Sequence, residues 1–311
     1  MNKAAEVWVR EVGMRDGLQG LDAFMPTAEK IAWCVAEAAA GVREIEVCSF
    51  APPKLIAQFA DAAEVAAAAR AIPSLTVSAL VPNAKGAERA LEAGVDQITY
   101  VVSASESHNR ANVRRSRQAS VDEFAPIAAM VERREATRRP LLSVGVATAF
   151  GCAIEGRVAE AEVCALAAHF AAAGAHQIAL ADTVGYADPA AVRRLFKAVA
   201  GQVGAERLSA HFHDTRGLGL ANVLAALDVG VRRFDGSLGG LGGCPFAPGA
   251  TGNIVTEDLV FMLESMGLAT GVDLPALVAV RAILARSLPG VALHGAVAKA
   301  GIPKGMERWR G

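Results

Sequence analysis

The sequence predicts a (β/α)8 TIM barrel, a closed ring of parallel strands with a helix after each. Three observations lead there. Short β-rich runs alternate with Ala-rich helical stretches along all 311 residues, with no linker or break in composition. One junction, a helix running through a glycine into a strand, recurs as AAAGVREIEV, LEAGVDQITY, AAAGAHQIAL and LDVGVRRFDG. Polar residues collect at the C-terminal ends of the strand candidates, where a barrel carries its active site. The expected organisation is a single domain over residues 1–311, with the segment from about residue 270 packing as a C-terminal helical extension. A doubly wound open sheet is the competitor. It usually has fewer strands, and no GxGxxG follows the first strand here.

The elements follow in order. Strand one is read at 7–13 (VWVREVG) and leads into Arg15 and Asp16. A helix then opens at TAEKIAWCVAEAAA with Thr27 as its N-cap. Strand two (42–50) carries Glu46; strands three and four are read at 75–81 and 96–103. Strand five covers 141–150, and strand six, 177–183, ends in Asp182. The helix after it starts at Asp188, with Pro189 in the first helical position. Strand seven, 208–214, ends in His211 and His213, and strand eight covers 232–239. Gly41, Gly94, Gly174 and Gly230 fit the left-handed position that ends a helix, before strands two, four, six and eight.

Composition excludes several classes. A formal net charge of −1 argues against nucleic acid or an anionic membrane as main partner. No stretch is long and apolar enough for a clear membrane span, and the N-terminus has no apolar leader. The 5 cysteines are scattered without CxxC spacing, which suits reduced thiols in a cytoplasm. The run VERREATRR reads as the solvated face of a helix. HNRANVRRSR, after strand four, reads as a loop: either solvated, or meeting substrate through His108, Asn109 and Asn112 and anionic phosphates through Arg114, Arg115 and Arg117. His169, His176 and His294 read as structural.

The chemistry centres on HFHD. Residues two apart on a strand share a face, so His211 and His213 project side by side. Taken alone, the pair is half of a metal site or one packed histidine beside a surface one. Asp16 on neighbouring strand one adds a carboxylate, and Asn253 offers an amide oxygen. Two imidazoles and oxygen ligands without a thiolate favour Mg²⁺ or Mn²⁺ over structural zinc. Arg15 is a salt-bridge partner of Asp16 or an oxyanion donor, with Glu46 holding it in place. Cys244, in LGGCPFAPG, is a small loop residue or an acid or nucleophile on a mobile lid.

The elements EVGMRDGLQ, IEVCSF, LADTVG, HFHDTRGLGLANVLAAL and GGLGGCPFAPGATGNIVTEDLV, in this order from about residue 6 to about 290, resemble the 3-hydroxy-3-methylglutaryl-CoA lyases. The resemblance implies a divalent metal held by Asp16, His211, His213 and Asn253, with Arg15, Glu46, Cys244 and Asp182 as catalytic residues. It also implies an acyl-CoA substrate, retro-Claisen cleavage to acetyl-CoA and acetoacetate, and a homodimer or larger homo-oligomer. Met14, Ala153 and Arg216 depart from the family's usual proline, proline and tyrosine. Arg216 would put a cation near the metal-bound end of the substrate, which favours a different acid such as citramalyl-CoA. Condensing synthases of the same superfamily and a silent acyl-CoA-binding barrel are the rival readings.

Overall fold

The computed structural model describes residues 6–242 and 252–305. Eight parallel strands close in chain order: β1 Trp8–Glu11, β2 Glu44–Ser49, β3 Thr76–Val81, β4 Gln97–Ser103, β5 Leu141–Ala147, β6 Gln177–Asp182, β7 Leu208–Phe212 and β8 Arg233–Gly236. Closure by the β1–β8 pair excludes the open sheet. Each strand lies within the span expected for it, cut back at one or both ends where the backbone turns out of the ladder. Alternate residues face the interior or the surrounding helices. The outward set, including Val9, Ile45, Val144, Leu180 and Phe212, is buried with the helices' apolar faces in one core. Tyr100 on β4 packs against Phe124 and Phe170, ring centres 5.8 and 6.4 Å away.

The helices are α1 Thr27–Ala39, α2 Ala62–Arg70, α3 Ala84–Ala93, α4 Glu106–Val113, α5 Arg117–Glu132, α6 Glu160–Ala172, α7 Pro189–Val203, α8 Gly219–Asp228 and α9 Thr256–Ser265. The four junction glycines all have positive φ, between 70° and 100°. Gly41 has a second reason to be glycine: a Cβ there would run into the Gly271 carbonyl oxygen. Asp188 caps α7, accepting from the Ala190 and Ala191 amides at 2.8 and 3.0 Å.

Three local expectations are corrected. Pro26, extended at φ −56° and ψ 141°, occupies the cap position of α1. Thr27 is already helical, and its hydroxyl donates to Asp61. HNRANVRRSR is helical over its first six residues, and only Arg114–Ser116 form a connection, because Ser105 and Ser116 cap α4 and α5 by accepting from the His108 and Ala119 amides. VERREATRR is exposed after the buried Val131, but it runs off the end of α5 into a 3₁₀ turn, Ala136–Arg138.

Beyond α9, α10 (Leu274–Ser287) lies along α1. The Asp273 amide donates to the Ala40 carbonyl at 2.7 Å, and Arg286 pairs with Glu29 at 2.6 Å. The short α11 (Ala296–Ala300) is tied to α9 by Asp258, which accepts from the Ala296 and Val297 amides. Among the described residues no helix is long and apolar enough to cross a membrane.

Candidate active site

A cavity of about 530 Å³ opens at the C-terminal mouth of the barrel. Its first side is built by the backbone after β1. The Val12 carbonyl accepts from the amides of Arg15, Asp16 and Gly17, at 3.0, 2.7 and 3.4 Å, closing one π-helical turn over Gly13–Gly17. Such turns are rare and are frequently found at functional sites. This one projects Arg15 and Asp16 into the cavity. Glycine is required at both ends: a Cβ on Gly13 would sit 2.7 Å from Ser237 Oγ, and one on Gly17 2.7 Å from Leu241 Cβ. Glu11 fastens the turn from below. One of its oxygens accepts from the Gly13 and Leu238 amides at 2.6 and 3.0 Å, the other from the Thr256 hydroxyl at 2.6 Å. Burial pushes its carboxyl up to about 8, and the neighbouring Glu257 adds to the shift against these hydrogen bonds.

The second side comes from β7 and a returning segment. Asn253 forms an isolated antiparallel bridge with His213, supported by amides of Asp214 and Ile254 that donate to the Gly252 and Phe212 carbonyls. This backbone pairing sets Asn253 beside the histidines although it lies 40 residues away from His213. Nε2 of His213 and of His211 lie 3.4 and 3.9 Å from Asp16 Oδ2, and Asn253 Nδ2 donates to that oxygen at 2.8 Å. Ligand atoms of Asp16, His211 and His213 all fall within 4.8 Å of one another.

Could this cluster hold a cation? The side-chain oxygen of Asn253, Oδ1, is buried and has no partner among the described residues, because Nδ2 makes both of the amide's hydrogen bonds. An orphaned buried oxygen is costly unless something occupies it. The amide that carries it lies on the Asp16 carboxylate beside the two imidazoles, and together these residues offer nitrogen and oxygen donors suited to a divalent ion. The residues fit the group.

Charge is organised around the cluster. Arg15 donates from Nε to Glu46 and from Nη1 to Asp16. Burial works to raise the Asp16 carboxyl, but Arg15 and the two histidines outweigh it and hold the group well below its ordinary range. Behind His211, Asp235 accepts from Nδ1 at 3.0 Å and takes a two-pronged pair from Arg10 at 2.9 and 2.7 Å. Burial raises the Asp235 carboxyl, yet Arg10 and His211 bring it down to about 2. Burial lowers the His211 imidazolium, while Asp235 and Asp16 more than reverse that and raise it.

The remaining sequence candidates sort as follows. Glu46 lines the cavity and is fully buried, with Oε1 unpartnered among the described residues. Asp182 is buried but does not line the cavity; its oxygens accept from the Tyr186 and Ala187 amides at 2.8 and 3.0 Å. Cys244 lies outside the described residues. Arg216 is corrected: Nη1 donates to the Val184 and Gly185 carbonyls and the guanidinium stacks on Tyr186, so it does not line the cavity. Of the arginine-rich segment, His108, Asn112, Arg114 and Arg115 line the mouth. Asn109 is spent on Ser103, Arg115 and Ser120, while Arg117 is held by Ala104 and Glu162.

Arg10 and Asp235 were missed in the sequence. Their signal was present, as an arginine and an aspartate in the middle of otherwise apolar barrel strands, VWVREV and RRFDGS.

Residues 6–284 match the family model described as HMGL-like. The chain is 40% identical over 304 residues, 96% of its length and all of the relative's, to a 3-hydroxy-3-isohexenylglutaryl-CoA/hydroxy-methylglutaryl-CoA lyase of Pseudomonas aeruginosa. It is 39% identical over 305 residues, 95% of each chain, to an (R)-citramalyl-CoA lyase of Chloroflexus aurantiacus. Among solved structures, an HMG-CoA lyase from Acinetobacter baumannii in complex with coenzyme A and 3-methylmalate superposes with a TM-score of 0.91, at 42% identity over 98% of both chains.

Proposed function

The chain belongs to the HMGL-like family, and from that premise we propose that it is a carbon–carbon lyase cleaving 3-hydroxy-3-methylglutaryl-CoA to acetyl-CoA and acetoacetate. The observation that carries this reading is the meeting of Asp16, His211 and His213, with the Asn253 amide on Asp16, beside Arg15 at the barrel mouth. These four residues would hold Mg²⁺ or Mn²⁺, which when bound supplies Lewis acidity toward a hydroxyl group.

The chain's own residues do the rest. Cleavage removes the proton of the tertiary hydroxyl and breaks the bond to the methylene beside the thioester. The electron pair of that bond becomes the enolate of acetyl-CoA. Asp16 and His211, side by side in the cluster, are the candidate bases for the hydroxyl proton. Arg15, steadied by Glu46, neutralises the enolate oxygen; one such donor contributes about 3–4 kcal/mol. Cys244, on the glycine-rich segment, is assigned as the acid that protonates the enolate carbon. Asp182 is assigned a positioning role, since both its oxygens hold the turn after β6. Arg114 and Arg115 at the rim offer positive charge to coenzyme A phosphates, and the solved complex of the A. baumannii relative with coenzyme A supports an acyl-CoA. The free thiols Cys34, Cys48, Cys152 and Cys164 suit a reducing cytoplasm.

A second reading, citramalyl-CoA cleavage, is favoured by the C. aurantiacus relative. Arg216 lends it no support, being turned onto Tyr186. The deciding experiment incubates Mg²⁺-loaded protein with 3-hydroxy-3-methylglutaryl-CoA and both citramalyl-CoA enantiomers and quantifies products by mass spectrometry, with EDTA controls. Acetoacetate with acetyl-CoA is the expected outcome. Pyruvate moves the function to the second reading, and no metal-dependent cleavage refutes both.

A further inference from the structure

Four arginines line the cavity, Arg10 and Arg15 on the β1 side and Arg114 and Arg115 at the rim. The lyase reading occupies three of them, Arg15 with the thioester carbonyl and the rim pair with coenzyme A phosphates. Arg10 is left over. It projects from β1 into the ring, and only 6% of its surface is exposed.

The guanidinium of Arg10 is only partly used. Nε and Nη2 lie on the two oxygens of Asp235, at 2.9 and 2.7 Å. Nη1 makes no hydrogen bond among the described residues, and the Glu44 carboxylate stands 3.7 Å from it, beyond hydrogen-bond reach. A two-pronged pair fixes the plane of a guanidinium, so Nη1 is held in place without an acceptor. A sheltered donor left in that state is costly.

The acyl group of the proposed substrate brings one free carboxylate into this cavity. Taking that charge out of water unpaired costs far more than hydrogen bonds to neutral groups return. Gln19, Ser49, Asn83 and Thr99 line the cavity and offer such neutral donors. Arg15 already lies between Glu46 and Asp16. Arg10 stands across Asp235 from His211, on the side of the ring that binds the hydroxyl.

We propose that Arg10 is a specificity residue whose Nη1 receives the free carboxylate of the acyl group, with Asp235 holding the guanidinium in the orientation for that contact. This rests on the lyase reading above. Asp235 then orients the His211 imidazole and the anion seat together. An acyl-CoA whose acid arm is neutral loses a charge-assisted hydrogen bond, about 10–100-fold in binding.

The test titrates 3-hydroxy-3-methylglutaryl-CoA, and the analogue with its free carboxylate converted to a primary amide, into EDTA-treated wild type, Arg10→Met and Arg10→Lys by calorimetry. With metal removed, neither turnover nor the change behind His211 enters the readout. Wild type is expected to bind the acid about 10–100-fold more tightly than the amide. Arg10→Met should bring the two within about threefold by weakening the acid alone, whereas a merely structural arginine would weaken both alike. Arg10→Lys keeps a cation for Asp235 but has a single nitrogen, so it should lose most of the preference, and it serves if the methionine variant does not fold. A wild-type preference below about threefold, or one retained in the variants, overturns the assignment. Cleavage of the acid thioester by Mg²⁺-loaded wild type is scored separately. Cleavage with an unmoved preference overturns Arg10 alone and leaves the lyase reading standing. A preference lost in the variants without cleavage upholds Arg10 and refutes the lyase reading, and no binding of the acid thioester refutes both.

Discussion

Asp235→Asn tests whether the charge network behind His211 sets the nitrogen that the imidazole would offer a metal ion. Asp235 joins His211 Nδ1 at 3.0 Å to Arg10, which reaches it with two nitrogens at 2.9 and 2.7 Å. An asparagine keeps the shape, removes the charge, and loses one of the two acceptors offered to Arg10. The carboxylate behind a ligating imidazole typically carries 10–100-fold in metal affinity, or about 1.4–2.7 kcal/mol. The same change strands a buried guanidinium, whose next carboxylate is Glu44 at 3.7 Å; breaking a buried pair costs about 3–5 kcal/mol of stability. The two effects are separated by Arg10→Met with Asp235→Asn, which removes the stranded charge. The assay is Mn²⁺ binding to chelator-treated protein by calorimetry, beside urea unfolding. The single variant should lose stability and bind Mn²⁺ about 10–100-fold more weakly; the double variant should regain most of the stability and none of the affinity. Mn²⁺ affinity within about threefold of wild type in either variant would refute the argument.

Arg15→Met should lower kcat/KM by about 10²–10³-fold in the product assay while leaving Mn²⁺ binding in place; a loss below tenfold would remove the oxyanion role. Glu11→Gln addresses pH. Because burial holds the folded Glu11 carboxyl up to about 8, above an unfolded value near ~4.3, the folded state binds the extra proton between those values. Stability from this group is therefore present at low pH and lost as pH rises toward 8. The glutamine variant should flatten that decline and raise Tm at pH 8 relative to wild type, with little change at pH 5. A steeper decline in the variant would contradict the assignment. Arg216→Tyr should leave the ratio of 3-hydroxy-3-methylglutaryl-CoA to citramalyl-CoA cleavage within about threefold, since the guanidinium is held by Val184, Gly185 and Tyr186. A shift beyond tenfold would return Arg216 to the substrate.

The barrel was legible because its signals are local. A glycine that must take positive φ before β2, β4, β6 or β8 announces itself within ten residues. The pairing of His211 with His213 follows from the period of a strand. Other features depend on partners far along the chain. Asp235 matters because Arg10, 225 residues away, and His211 meet it inside the ring. The π turn at Gly13–Gly17 exists because Glu11, Leu238 and Thr256 clamp its base, and nothing in GMRDG alone shows that. α4 was hidden for a different reason. Its arginines drew attention, while the two serines that cap the helices on either side of Arg114 carried the structural information.

These features together explain why the site sits on the seam between β7, β8 and β1. Closing a barrel brings the first strand next to the last, so residues from opposite ends of the chain become neighbours. Asp16 comes from the turn after β1, His211 and His213 from β7, and Asn253 from the segment that returns past β8. None of these elements completes a donor set alone. The cluster therefore forms only when the ring has closed, and its assembly reports closure of the whole barrel. The facing strands are released from that duty. Where β5 and β6 line the cavity they carry only glycine and alanine, and none of these residues belongs to the cluster on the seam.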